Sequence, residues 1–446
     1  MTIHILQHAF GEVLKVADPQ LSLPIVLEKY FPQGLVGNCL VVGAGKASAS
    51  MADALEKYAL QHWPQANIYG HVITRYGHDV SNVNYSRRIN VSQASHPVPD
   101  QAGIEACKKI LQHIENLKTK DICIVLISGG GSSLTPLALG NISLTTIQNL
   151  TEELLRCGAP VEEINVIRKH ISAIQGGRLA QLVRSRGATV IAFIISDVIG
   201  DNASDIASGP CAADPSTFED AMNIIEKYNL QNNPNIQDVI THLQNGKKGL
   251  VSETLKPQDK ILDGVANHVF ASAQKSLEAA ANYCRSLDYE VFLLGDHISG
   301  ESSEFAKVQA DMIRQTIKNN PSKKIAWISG GETVVTIPKG VKGRGGRCSE
   351  FLLALLKETI DIKGLSALAA DTDGIDGSEK NAGAFFNSEI KKKVLQKHFN
   401  IDEYLDKHDA YGFFEEVGAL VMTGPTLTNV NDFRIVLWER DEHNNH

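Results

Sequence analysis

Glycine and serine cluster twice in the chain, each time directly after an apolar run and once with a lysine. In CLVVGAGKASASMADAL, Cys39 to Leu55, Gly43 and Gly45 precede Lys46 and a helix-like pattern. In LISGGGSSL, Leu126 to Leu134, the residues Ser128, Gly129, Gly130, Gly131, Ser132 and Ser133 close a second apolar run. Main-chain N–H groups at a helix start, glycines that admit close approach and a first-turn lysine all favour a bound anion. The chemistry so indicated is phosphate recognition. Two nucleotide templates nevertheless fail on the first segment. A dinucleotide fingerprint G-x-G-x-x-G needs glycine where Ser48 stands, and an acidic residue at the end of the next strand, where YGHVITRYGHD offers Arg75. A phosphate loop of the Walker type needs glycine at Leu40 and serine or threonine at Ala47. A tight strand-to-helix turn with a solvated lysine stays open for this segment. In the triple-glycine segment a sharp turn alone would ordinarily require a single glycine. A serine hydrolase with Ser132 as nucleophile lacks the G-x-S-x-G elbow and nominates His96 or His170 by position only.

Cations and carboxylates recur beside other apolar runs. INVIRKHISAIQGGRLAQLV places Arg168, Lys169 and His170 at the start of an amphipathic pattern, where Arg168 and Lys169 either bind a carboxylate or phosphate or are exposed helix cations. IISDVIGDNASDIASGP sets Asp197, Asp201 and Asp205 after a strand, a position suited to Mg²⁺, which takes one or two protein carboxylates together with substrate phosphates. Turn and helix capping is the other role open to Asp201 and Asp205. AADTDGIDGSEKNAGA repeats the pattern with Asp371, Asp373 and Asp376, without the spacing or bidentate glutamate of a calcium loop. Finally, ISGGETVVTIPKGVKGRGGRCSEF carries Glu332 after a strand, then Lys339, Lys342, Arg344 and Arg347 among glycines. Four cations in nine residues, in a chain of net charge -8, point to an anionic partner.

The elements that must position these groups are strand-like runs with continuous rather than alternating hydrophobicity, separated by helical patterns: NCLVVGAG, DICIVLISGGGSS, ATVIAFIISDVIGD, YEVFLLGDHISGE, KIAWISGGE and LSALAADTDGIDG. That is the pattern of parallel strands covered on both faces, so the fold class is α/β with mostly parallel, helix-covered sheets and a Rossmann-like N-terminal part. Ligands of such sheets bind beyond the carboxyl ends of strands, where the glycine and aspartate tails fall. The Asn-, Gln-, Lys- and Pro-rich text near Tyr228 to Asp263 reads as helical pieces and a connection. The expected domains are therefore 1–240 and 241–446, with the last segment packing back on the first domain. Seven single cysteines form no C-x-x-C pair and read as reduced thiols, of which Cys348 alone has polar neighbours of interest. Net acidity excludes general attraction to nucleic acid or an anionic membrane, and no apolar run approaches the roughly 20 residues of a membrane span. A cytoplasmic location is the default expectation, and monomer and homodimer both stay open.

Taken in order, GAGKAS, ASHPVPDQAG, LISGGGSSL, INVIRKHISAIQGGRLA, SDVIGDNASDIASGP, SGGETVV, GRGGRCSEFLLA, DTDGIDG and TGPTLTNVNDF resemble the glycerate 2-kinase family, the class II or MOFRL-type glycerate kinases, some of whose members carry the label hydroxypyruvate reductase. The resemblance runs from about residue 5 to residue 436. It implies two α/β domains with an active-site cleft between them, and transfer of phosphate from ATP to the 2-hydroxyl of D-glycerate with a divalent metal such as Mg²⁺. It also implies catalytic roles for Lys46 and Arg347. To these the reading adds Asp197 as metal ligand or base, Asp373 as a second metal candidate, and Gly43, Gly45, Ser128 to Ser133, Lys169 and Glu332 as nucleotide-binding candidates. GGGSSLTP and GGRCSEF depart from the commoner G-G-G-S-A-L-L-P and G-G-R-N-Q-E, which directs attention to Ser133 and Cys348 for substrate fit. An NAD(P)H-dependent hydroxypyruvate reductase and a non-catalytic sensor or kinase of another hydroxy acid are the alternatives.

Overall fold

A computed structural model describes residues 2–80, 87–320, 323–338 and 340–440. The chain forms two compact units, Pro19–Phe270 and a second built from Met1–Asp18 with Ala271–His446.

In the unit Pro19–Phe270 the strands are β1 (Gly37–Ala44), β2 (Ala66–Arg75), β3 (Ile89–Ala94), β4 (Ile122–Ile127), β5 (Thr189–Ser196) and β6 (Ala266–Ser272), the last ending where the chain passes into the other unit. Their order is β3-β2-β1-β4-β5-β6, and every pair from β3 through β5 is parallel. β4 and β5 are buried almost throughout, which is why ICIVLI and TVIAFIIS carry apolar residues at consecutive positions. The chain leaves β1 toward β2 and β3, then returns to lay β4 on the opposite side of β1. That reversal makes β1 and β4 the switch point at which open α/β sheets bind ligands. Both glycine segments leave the sheet there.

The other unit carries β7 (Tyr289–Leu293), β8 (Lys324–Ser329), β9 (Leu365–Asp371), β10 (Gly383–Phe386), β11 (Leu420–Val421) and β12 (Asp432–Trp438), in the order β11-β10-β9-β12-β8-β7. Here the expectation of a mostly parallel sheet is met only by β7 and β8, since β12 runs antiparallel between β8 and β9, and β10 is antiparallel to β9 and β11. Continuous hydrophobicity, as in DFRIVLW, reports burial on both faces and carries no information on strand direction.

Two boundaries also differ from the sequence reading. The cut at 240/241 falls inside the helix Gln237–Lys247, whose Val239, Ile240 and Leu243 are buried with Phe218 and Met222. Its polar text is the outer face of an amphipathic helix and not a linker. At the other end, the helix Thr2–Ala17 buries Leu6, Ala9, Phe10 and Val13, spaced for one helical face, against Leu277, Phe433 and Ile435. The first residues thus complete the core of the last ones. Phe10 stacks on Phe433 at 5.9 Å between ring centroids. Phe10→Ala should lower the stability of the unit that contains residues 271–446 by about 3–5 kcal/mol, read by urea unfolding followed through Trp327 and Trp438; a loss under about 1 kcal/mol would show that this helix is not part of that core.

Candidate functional site

The turn after β1 is pressed against the turn after β4. Gly43 lies within β1 beside Leu126, and a Cβ on Gly45 (φ +147°) would fall 2.1 Å from Ser128 Oγ. The Lys46 N–H donates to the Gly129 carbonyl at 2.9 Å, and the Ala47 N–H donates to Ser128 Oγ at 3.0 Å. Ser48, at the position where a dinucleotide fold would have its third glycine, is buried and donates its hydroxyl to the Leu126 carbonyl at 3.1 Å. These bonds fix the two loops as one surface.

Each of the three glycines of the second loop admits a different neighbour. A Cβ at Gly129 would lie 1.9 Å from Asp197 Oδ2; at Gly130, which has φ +80°, it would lie 3.0 Å from the His96 ring and 3.4 Å from Lys46 Cγ; at Gly131 it would lie 2.6 Å from Ala207 Cβ. A side chain at Gly129 would displace Asp197 and one at Gly130 would crowd the His96 ring, with Lys46 Cγ at contact distance. Ala207 belongs to a left-handed run, Ala207, Ser208 and Gly209, whose carbonyls at Ser208 and Gly209 accept from the N–H groups of Gly176 and Gly177 at 3.0 and 2.8 Å. The expectation that the serine hydroxyls face the anion is altered by this packing. Ser128 accepts from Ala47, Ser132 shares a 2.8 Å bond with Ser208, and Ser133 donates to the Gly130 carbonyl at 3.2 Å. Ser132 bonded to a serine rather than a histidine also removes the hydrolase reading.

Around this loop stand cations that sequence reasoning had not joined. Arg75 ends β2, His96 follows β3, and Arg168, in the last turn of the helix Val161–Ile171, lines a small cavity with Ser132, Ser133 and Gln175. Burial, together with the charges of Lys46, Arg75, Arg168 and His78, lowers the His96 pKa to about 4, so its imidazole is neutral near pH 7. Burial also lowers Arg168, to about 10. Among the described residues none of Lys46, Arg75 and Arg168 has a carboxylate partner. Lys169, its neighbour in sequence, is committed instead: buried, it pairs with Asp214 at 3.2 Å and Asp205 at 3.6 Å. Its nucleotide-binding role is replaced by anchoring the helix. Asp201 sits in a turn at φ +54°, and Asp205 also accepts from Asn202 at 2.9 Å. The three ligand-ready groups each follow a strand or end a helix, but nothing in their local sequence marks them as neighbours.

In the other unit Arg344 and Arg347 are paired with carboxylates of the chain itself. Arg347, first residue of the helix Arg347–Glu358, donates through Nε to Asp432 at 2.8 Å, Nη1 to Glu332 at 2.6 Å and Nη2 to Asp371 at 2.9 Å. Burial opposes its charge, yet the three carboxylates hold its pKa above the usual arginine value. Asp371 is pushed well up by burial and by Asp432 and Asp373. Asp432 also accepts from the buried Arg434, which lies over the rings of Phe305 and Phe351. Arg344 pairs with Asp409 at 3.3 Å and lies over Tyr411. Lys339 falls outside the described residues. The arginines of this segment are therefore matched by the protein's own carboxylates. Asp373 closes its own turn by accepting from the Ile375 N–H at 2.9 Å. Asp376, raised by burial to about 6, caps the helix through the N–H groups of Cys348 at 3.0 Å and Ser349 at 2.8 Å. Cys348 is fully buried with its thiol pKa raised, so the expectation that it touches substrate is corrected to a core role.

No group of three or more His, Cys, Asp or Glu suited to a metal occurs among the described residues. A Mg²⁺ ion that shares its shell with nucleotide phosphates needs only one or two carboxylates, and Asp197 against Gly129 supplies one beside the phosphate-type loop. The residues present fit such an ion at Asp197.

The family model described as a domain of unknown function (DUF4147) matches residues 5–244, and that of the MOFRL family matches residues 325–432. The chain is 41% identical over 404 residues to a putative hydroxypyruvate reductase of Agrobacterium vitis, covering 90% of this chain and 100% of that one. It is 35% identical over 437 residues to the glycerate 2-kinase of Pyrococcus horikoshii, covering 96% and 95%. It is 34% identical over 428 residues to the D-glycerate 2-kinase of Thermotoga maritima, covering 96% and 97%. The crystal structure of a glycerate kinase from Thermotoga maritima superposes with TM-score 0.84 at 32% identity, over 98% of this chain and 99% of that one.

His96 and His71, both lowered to about 4 from the ordinary 6.5 with burial the first cause, bind protons more weakly folded than unfolded. Their contribution to stability is therefore complete above pH 6.5 and is lost as pH falls toward 4. In the ligand-free protein the His96 ring resonance should titrate near 4 by NMR, whereas a midpoint near 6.5 would show that the ring is neither buried nor flanked by these cations.

Proposed function

The chain belongs to the glycerate 2-kinase family, with DUF4147 and MOFRL parts in order, and we propose that it transfers the γ-phosphoryl group of ATP to the 2-hydroxyl of D-glycerate. The observation that carries this reading is a glycine loop at the switch point of a parallel sheet, ringed by three cations without carboxylate partners among the described residues. Phosphoryl transfer asks a protein mainly for in-line positioning and neutralisation of charge on the moving group. Lys46, whose stem lies on Gly130 and whose N–H donates to the Gly129 carbonyl, is assigned to the transferring phosphoryl. Mg²⁺ held by Asp197 and the nucleotide phosphates would supply further neutralisation of the phosphate oxygens. Arg347 bonds three carboxylates, of which only Glu332 is largely exposed. Exchange of Glu332 for a substrate oxygen would let this guanidinium act while Asp371 and Asp432 keep its plane fixed.

The reductase reading meets a physical obstacle at the same loop. Ser48 fills the place where a dinucleotide fold needs glycine for close helix–strand packing, and it is bonded there to Leu126; β2 ends in Arg75 and not in a ribose-binding carboxylate.

An ADP-release assay with D-glycerate and ATP tests the proposal. Lys46→Ala and Arg347→Ala should each lower kcat about 100-fold. A drop below about tenfold for either residue would remove it from the catalytic role. NAD(P)H oxidation by hydroxypyruvate without ADP release would replace the kinase by a reductase.

A further inference from the structure

In the unit Pro19–Phe270 several buried or half-buried cations are matched by carboxylates or by main-chain carbonyls. Arg87 meets Asp79 at 3.0 Å, and Lys169 meets Asp214 at 3.2 Å. Lys46, Arg75 and Arg168 are half-buried and have no carboxylate partner among the described residues. They come from the turn after β1, the end of β2 and the last turn of the helix Val161–Ile171, and all three lie within electrostatic reach of one imidazole, His96, which rests on Gly130. Partly burying a cation without a counter-ion is unfavourable, and three such cations around one glycine loop favour a bound anion that offsets the cost. Arg168 shares its cavity with Ser132 and Ser133 of that loop.

The charge count narrows the ligand. With Asp197 beside Gly129 reserved for the Mg²⁺ ion of the kinase reading, D-glycerate brings one negative charge, its carboxylate, and would leave two of the three cations unmatched. Its 2-phosphate ester brings a carboxylate and, on the adjacent carbon, a phosphoryl group of about two negative charges, about three in all. Guanidinium forks suit both groups, and a lysine suits the phosphoryl as a point charge. His96, neutral, adds no charge to be matched and can exchange a hydrogen bond with a bound oxygen.

Resting on the kinase reading, we infer that Lys46, Arg75 and Arg168 form the acceptor subsite, and that this subsite is matched in charge to the phosphorylated product, a 2-phosphorylated carboxylic acid, and not to the hydroxy acid that enters. The gain in affinity arises as the phosphoryl group arrives, so the subsite favours the transition state and product over the bound acceptor. The same match makes the product a strong inhibitor and its release a slow step.

Isothermal titration of the full chain in EDTA, without nucleotide, tests this with D-glycerate, inorganic phosphate and 2-phosphoglycerate as separate probes. 2-Phosphoglycerate should bind at least about tenfold more tightly than either other probe, and Arg75→Gln and Arg168→Gln should each weaken it by about tenfold or more, with Arg168→Lys losing less than Arg168→Gln. Binding of 2-phosphoglycerate no tighter than phosphate, or unmoved in both glutamine variants, would overturn the inference. Should Arg168→Gln melt well below the wild type without ligand, Arg75→Gln decides. ADP release with D-glycerate, measured on the wild type, separates the two readings. Tight 2-phosphoglycerate binding without turnover sinks the kinase and keeps the anion subsite, whereas turnover with unaffected variants sinks the subsite and keeps the kinase.

Discussion

The contact on which the site depends is the close approach of the backbone at Gly45 to Ser128. With a Cβ at Gly45 only 2.1 Å from Ser128 Oγ, any larger residue would part the turns after β1 and β4. The Lys46 N–H could then no longer reach the Gly129 carbonyl, and the lysine would lose its place above Gly130. The fold prepares this contact, because reversal of strand order at β1 and β4 is what puts the two turns side by side. Three glycines then bring Asp197, His96 with Lys46, and the left-handed Ala207 turn onto one loop. A metal-suited carboxylate, a neutral imidazole and cations without carboxylate partners among the described residues become neighbours through the absence of side chains.

The two units treat charge in opposite ways. Around Arg347 three carboxylates and the neighbouring Arg434 form a nearly balanced, buried network. Such a network adds little net stability, but removing one member leaves an uncompensated charge, so it fixes geometry. Around Lys46 three cations have no carboxylate partner among the described residues, in a protein of net charge -8. An open balance in a partly buried place is the physical signature of a site awaiting an anion.

Much of this was legible in the sequence and some of it could not be. Continuous apolar runs ending in glycine or aspartate revealed buried strands and the edge where ligands sit, and GAGKAS and GGGSS identified the two loops. Strand direction in the second sheet was hidden, because DFRIVLW is equally apolar in either direction. The membership of Thr2–Ala17 in the core of residues 271–446 was hidden as well, since it is a contact between chain ends. Among the site residues, Lys46 and Asp197 were found because each sits in or beside a glycine motif. Arg75 and His96 were noticed only as misfits to other templates. Lys169 and Arg168 are adjacent and chemically alike, and only the position of Asp214 distinguishes the anchored lysine from the ligand-ready arginine. The cationic run from Lys342 to Arg347 misled in the other direction: its arginines are answered by Glu332, Asp371, Asp432 and Asp409, which lie far off in sequence or carry no local mark.

The central claim is that the open charge at the switch point serves phosphoryl transfer to one particular oxygen of a hydroxy acid. Phosphorus NMR of a reaction containing the purified protein, ATP, Mg²⁺ and D-glycerate tests it most directly. A new monoester signal should appear as a doublet, split by the single proton on the second carbon, as ADP accumulates. A signal split by the two protons of the third carbon would contradict the assignment of the 2-hydroxyl. An unchanged spectrum, in a protein that instead consumes NAD(P)H with hydroxypyruvate, would contradict phosphoryl transfer altogether.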